Sequence, residues 1–178
     1  DVMATKAYTG DVNQFHHISS FPTPDVQIIV RPNVDTLYSF AFVDVSEGRV
    51  YLYMPDTQER YYVLEVMDAW TNVFESFGKR TTGTGVQEFF FTSLEWQGDV
   101  PEGLQHVRSP THNAWIAGRI QTNGDADVEA VVQIQQQMVL KPYSKLNVIT
   151  EIREKNQTNR TSPDFVVAAM SFEEFYGN

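Results

Sequence analysis

The chain has 178 residues, a formal net charge of −10, 13% aromatic content and no cysteine. That length suits one domain, or one domain and a tail. The acidic balance repels phosphate backbones and anionic lipid and so disfavours nucleic-acid and membrane-surface roles, and the missing thiols exclude disulfides, thiolate metal sites and cysteine nucleophiles.

Residues 1 to 30 read as an irregular lead-in, with Phe21-Pro22-Thr23-Pro24-Asp25 breaking regular structure. The chain opens on Asp1, and the expectation is that an N-terminal piece such as a signal peptide has been removed. Strand signals begin at Thr36. Over Thr36 to Asp44, Tyr38, Phe40 and Phe42 alternate with Leu37, Ser39, Ala41 and Val43. Arg49 to Met54 and Tyr61 to Asp68 alternate in the same way. A period of two marks strands with two distinct faces. Ser46-Glu47-Gly48 and Pro55-Asp56-Thr57 are turn-like links.

Further strands are predicted at Glu88 to Ser93, Gln105 to Arg108 and Ala114 to Ile120. The gaps between them are too short for the helices of a parallel α/β fold. The fold class is therefore mainly all-β, an antiparallel sandwich of jelly-roll character. One helix follows. Asn123-Gly124-Asp125 supplies a stop and an N-cap, Val128, Val131, Ile134 and Met138 form an apolar stripe, and Pro142 ends the run. The domain is drawn over 1–142. Residues 143–163 are a polar linker, and 164–178 start a helical connector whose Phe172, Phe175 and Tyr176 want a partner. That partner is expected to be a C-terminal domain of the same protein or a second subunit. No window approaches the roughly 18 apolar residues of a membrane span. The sequons at Asn156 and Asn159 fall in the polar linker and read as chance.

Polar residues with chemical potential gather at predicted strand ends, where loop-borne sites sit. They are Asn33-Val34-Asp35-Thr36-Leu37-Tyr38, then Arg60-Tyr61-Tyr62, then Asp68-Ala69-Trp70-Thr71-Asn72-Val73-Phe74, then Gly78 and Arg80-Thr81-Thr82-Gly83-Thr84-Gly85, followed by Ser109-Pro110-Thr111 and Arg119. On these motifs, and over most of its length, the chain resembles the bacterial domain of unknown function numbered 1254. The resemblance implies a jelly-roll-like fold, frequent export, and a second domain numbered 1214 reached through a helical connection, of which Ser171 to Asn178 would be the start. It implies no particular reaction.

Asp35 and Asp68 are the acid candidates, with Arg80 placed to stabilise developing negative charge. The plainer reading is that each aspartate caps a turn or pairs with Arg60 or Arg80. Arg60, Arg80 and Arg119 suit a planar anion. Tyr38, Tyr61, Trp70 and Trp115 suit a sugar or aromatic platform, against the alternative of ordinary sheet core. Asn33, Asn72, Thr81 and Thr82 can hydrogen-bond a ligand or satisfy turn backbone. The glycines of the Arg80 to Gly85 loop lack the ending of a phosphate-binding loop. The adjacent His16 and His17 would point to opposite faces of a strand, and His106 and His112, which straddle a turn and could meet, would need a third ligand such as Asp35 or Asp68; no metal and no cofactor is expected. No Gly-x-Ser-x-Gly elbow occurs.

The sequence and the resemblance together lead to an exported module, periplasmic or secreted with a cytoplasmic location as the alternative, that binds a small ligand or saccharide through strand-end loops. A hydrolase with an Asp/Arg site and a structural or assembly domain are the alternatives. The first reading requires that Asp35, Arg60, Asp68 and Arg80 converge on one rim.

Overall fold

The computed structural model describes residues 11–21 and 33–143. Among the described residues nine strands form two sheets. They are β1 (Phe15–His17), β2 (Thr36–Asp44), β3 (Val50–Met54), β4 (Tyr62–Met67), β5 (Val73–Gly78), β6 (Gln87–Ser93), β7 (Gln105–Ser109), β8 (Asn113–Gln121) and β9 (Val139–Pro142). A 3-10 turn at Asp125–Asp127 leads into the helix α1 (Val128–Gln137). One sheet has the order β1-β2-β8-β4-β5 and the other β7-β6-β3-β9.

The period-two pattern of β2 builds the core as expected. Leu37, Ala41 and Val43 face inward and are buried with Leu64 and Val66 of β4 and Ile116 and Ile120 of β8. The second sheet contributes Val50, Leu52 and Met54 of β3 and Phe89 and Phe91 of β6 to the same cluster. Phe77 of β5 stacks on Phe89 across the sheets at 3.8 Å between ring centroids. Aromatic and β-branched side chains interdigitating between two pleated faces exclude water, and that burial drives the sandwich together. The helix closes one end through Val131, Val132 and Ile134.

Four features depart from the sequence expectations. β1 lies inside the supposed irregular lead-in and pairs with β2 from Phe15↔Ala41 to His17↔Ser39. β5, hidden between two polar motifs, pairs with β4 across an irregularity between Val66 and Met67. The pairing of β6 with β7 is parallel, so the sandwich is mixed rather than wholly antiparallel. The 94–104 connection is long enough to carry the chain back over the sheet edge without a helix.

The fourth departure is at the helix. Asp125 sits in the 3-10 turn, and the N-cap is Asp127, whose carboxylate is engaged elsewhere. At the other end Met138 turns extended at ψ 135° and its N–H donates to the Gln135 carbonyl. Val139 to Pro142 then pairs with β3. Pro142 is tolerated there because β9 is an edge strand, where the absent N–H leaves no ladder bond unmade. The proposed linker over 143–163 and the helical segment over 164–178 lie outside the described residues, Tyr143 excepted.

Candidate functional site

The strand pairing fixes where the polar motifs go. The start of β2, the start of β4 and the end of β8 share one end of the first sheet, since Leu37 and Tyr62 both oppose Ile120. The end of β4 and the start of β5 lie at the other end, where Met67 opposes Trp115 and Val73. Along β8 from Trp115 to Gln121 the rise is about 20 Å at roughly 3.3 Å per residue. Asn33, Asp35, Arg60, Tyr61, Arg80, Thr81 and Thr82 therefore gather at one end, and Asp68, Trp70 and Asn72 at the opposite one. The expected single rim is absent. Two carboxylates dividing acid and base roles stand within about 10 Å of each other, so Asp35 and Asp68 cannot form such a pair.

At the far end Asp68 builds a turn. Its Oδ1 accepts from the N–H groups of Trp70 and Asn72, both at 2.9 Å, and its Oδ2 accepts from Asn72 Nδ2 at 2.9 Å. The bond from the Asn72 side chain is the leading cause that holds the Asp68 carboxyl below its usual range. Thr71 adopts φ +66°, and Trp70 is left 78% exposed at the tip. Asp68 thus satisfies turn backbone, the plainer of the two readings, and the Asn72 side chain braces its carboxylate.

At the near end several candidates are likewise absorbed. Asn33 opens β2, accepting from Asp35 N–H at 2.8 Å and donating to the Thr36 hydroxyl and carbonyl. Asp35 is exposed, and its carbonyl accepts from Thr122 N–H at 2.9 Å. The N–H groups of Thr81, Thr82 and Gly83 all point at the Gly78 carbonyl, and the Thr82 hydroxyl accepts from Gly78 N–H at 3.2 Å. Arg80 lies over the Tyr61 ring at 5.6 Å, and Arg119 lies over Tyr38 at 5.2 Å on the outer face of the sheet. Tyr38, Phe40 and Trp115 stack along that outer face. Among the described residues no group of three His, Asp or Glu side chains gathers as a metal site would require. His106 instead shares a 2.9 Å hydrogen bond with Thr92.

A cleft of about 670 Å³ opens at this same end, between the β3–β4 connection and α1. Of the site residues proposed from the sequence, Arg60 alone lines it. Its walls carry the side-chain amides of Gln58, Gln121, Asn123, Gln133 and Gln137, and Val86 and Ile134 supply apolar surface. Asp56 and Glu59 stand beside the amides. Asp56 Oδ1 accepts from Gln58 N–H at 2.7 Å, and Glu59 Oε1 accepts from the Thr84 hydroxyl at 2.9 Å.

Arg60 spans the back of the cleft. Its guanidinium grips Asp127 with a fork, at 2.5 Å to Oδ2 and 2.8 Å to Oδ1, and reaches the Gln121 carbonyl at 2.8 Å. The Arg60 fork is the leading cause that lowers the Asp127 carboxyl to about 2, with the Asn123 N–H at 2.8 Å adding to it. The positive charge of Arg60 is thereby spent inside the protein.

The connection itself is strained. Gln58 at φ +54° and Glu59 at φ +63° are consecutive left-handed residues with full side chains. Each such residue costs on the order of 1 kcal/mol or more, and strain of this kind collects at ligand sites. Bonds from Thr57 N–H to the Thr84 carbonyl at 2.8 Å and from the Thr57 hydroxyl to the Arg60 carbonyl at 3.0 Å hold it in place. The run Gln133-Ile134-Gln135-Gln136-Gln137 was the one visible sign of this wall in the sequence.

The model of the family described as a protein of unknown function, DUF1254, matches residues 12–142. The chain belongs to that family. The VPA0106 protein from Vibrio parahaemolyticus, a solved structure, is similar at 23% identity with a TM-score of 0.65 over 94% of this DUF1254 chain. That likeness shows the shared fold. The match covers 37% of the Vibrio chain, so the DUF1254 chain spans little more than a third of its length. No curated protein matches. Among the described residues no helix is long and apolar enough to cross a membrane.

Proposed function

We propose that this DUF1254 chain is a binding module for a small neutral polyhydroxylated ligand, a saccharide or polyol, and that the cleft between the β3–β4 connection and α1 is its site. The observation that carries the reading is the amide-lined wall. Side-chain amides present donors and acceptors without charge, which matches hydroxyl groups and gives an anion nothing to neutralise. Among the described residues Arg60 is the one cation that lines the cleft, and it is already committed to Asp127. The two carboxylates, Asp56 and Glu59, add negative charge that opposes an anionic ligand. Val86 and Ile134 offer an apolar patch for the C–H face of a sugar ring.

The rest of the reading follows the sequence. The module is exported, with a jelly-roll arrangement over 1–142, and forms the N-terminal part of a longer two-domain protein. The share of the Vibrio chain that it covers supports that last point. Of the sequence candidates, Arg60 keeps a role as the brace of the site, while Asn33, Tyr61, Arg80, Thr81 and Thr82 shape the surrounding end.

Calorimetry with mono- to trisaccharides, sugar alcohols and small carboxylic acids tests the proposal. Neutral sugars should bind, and Gln133→Leu or Asn123→Leu should weaken them about tenfold, the loss of one or two buried hydrogen bonds. Binding of the acids alone, or sugar binding indifferent to both substitutions, removes the cleft from this role.

A further inference from the structure

The helix that forms one wall of the cleft is held from behind by a buried polar chain. Ala130, Gln133, Ile134 and Gln137 face the cleft. At 3.6 residues per turn, Gln135 projects roughly 150° away from them. It is 1% exposed, and its Nε2 donates to the Tyr38 carbonyl at 2.9 Å, the Ser39 hydroxyl at 3.2 Å and, more weakly, the Ile18 carbonyl at 3.4 Å. Ser39, fully buried on the inner face of β2, lies 2.9 Å from Nδ1 of His17 on β1. One glutamine thus ties α1 to both β1 and β2.

The chain has a direction. Ser39 Oγ accepts the Gln135 amide proton, so the hydroxyl hydrogen is free to point at His17 Nδ1. In the tautomer that carries its proton on Nε2, Nδ1 accepts that hydrogen and the imidazole is neutral. Protonated His17 would offer a second donor to the same oxygen, and the serine hydrogen would lose its acceptor.

We propose that this His17–Ser39–Gln135 chain is a proton-sensitive latch that seats α1 as a wall of the cleft, so that acid frees the helix and lowers ligand affinity. The affinity clause rests on the function proposed above; the seating of the helix does not. Gln135 is a positioning residue, since it touches the wall from the side away from the ligand. The groups that face His17 are few. β2 presents Ser39, which Gln135 of α1 holds from its other side, and among the described residues His16 is the one titratable group that acts on it. Burial, and secondarily His16, lowers His17 to about 4, so the seated imidazole stays neutral until pH nears 4, whereas a released His17 takes up its proton already below about 6.5.

Hydrogen exchange of the full chain between pH 7 and pH 4, with maltotriose as the binding probe, tests both parts. Protection of the α1 amides should fall relative to that of β8 on the order of tenfold by pH 5, the effect of one proton taken up on release. In His17→Phe that selective fall should vanish. In Ser39→Ala, a smaller change that keeps both neighbours, α1 should already be loose at pH 7. Maltotriose affinity should follow the α1 protection in all three proteins. The latch is overturned if α1 and β8 amides keep a constant ratio across the range, or if His17→Phe loses protection as the wild type does. If exchange behaves as expected and maltotriose binds at no pH, the latch stands and the saccharide reading fails.

Discussion

Arg60 joins three parts of the chain through one guanidinium: the β3–β4 connection that carries it, the last residue of β8 and the 3-10 turn before α1. Its side chain and that of Asp127 are 17% and 20% exposed, so water competes only partly for the pair. Arg60→Ala should cost about 1–3 kcal/mol, the range for hydrogen bonds to a charged group, read as a lower denaturant midpoint. Asp127→Asn in the Arg60→Ala background should then cost little more, because the two side chains act as one unit. Asp68→Ala belongs to a different end of the molecule. It should lower the melting temperature and speed exchange in the β4–β5 turn, with cleft affinity unchanged across the roughly 20 Å that separates them. In the sequence, Arg60 and Asp68 looked alike as polar residues at strand ends. Nothing in residue type separates a carboxylate that closes a turn from one that meets a ligand. The partner of Arg60 was sought at Asp35 or Asp68, and the true one lies at position 127, close in space and remote in chain.

Alternation made β2, β3 and β4 readable because each strand has two faces with different company. β5 was unreadable for the converse reason: Val73 and Glu75 are exposed, and an irregularity shifts the register, so no clean period survives. β9 failed by length, since four residues after a helical stripe look like more helix until the pairing with β3 decides. The cleft was hidden in another way. Its amides come from three separate segments, and only the glutamine run of α1 leaves a trace in the sequence. Local conformation now gives a test at the β3–β4 connection. Glycine takes a left-handed conformation without the penalty that Gln58 and Glu59 pay, at the cost of more unfolded-state freedom. Gln58→Gly should leave stability unchanged or raise it by up to about 1 kcal/mol, whereas in Glu59→Gly the relief is offset by loss of the acceptor of the buried Thr84 hydroxyl. Gln58→Gly should nonetheless weaken cleft binding, because it deletes a lining amide. A substantial loss of stability in both variants would show that the backbone there is relaxed. Gly118 supplies the contrast at the centre of β8. A Cβ there would meet Leu64 Cδ2 at 2.7 Å and the Ser39 carbonyl at 2.8 Å. Gly118→Ala should cost about 1–3 kcal/mol through overpacking and disturb the strand that carries the latch serine.

For the whole molecule, acid acts in two successive windows. His17 has a folded value of about 4 against an unfolded value near 6.5, so unfolding takes up a proton between those limits. Its contribution to stability is present in full above pH 6.5 and is lost as pH falls through 4, with a slope of at most about 1.4 kcal/mol per pH unit for one proton. Asp127 has a folded value of about 2 against an ordinary 3.8. Its contribution is intact above pH 4 and disappears as pH falls through 2. The two windows scarcely overlap, which makes them separable by substitution. Denaturant titration of the wild type should show stability declining from pH 6.5 downward and declining again below 4. His17→Phe should abolish the first decline and keep the second, while Arg60→Ala should flatten the second and keep the first. The first decline should also coincide with the loosening of α1, because the proton enters behind the wall of the cleft. A wild-type stability flat from pH 7 to pH 4 would mean that His17 titrates without moving the fold, and the coupling between the buried end of the sandwich and its cleft would be gone.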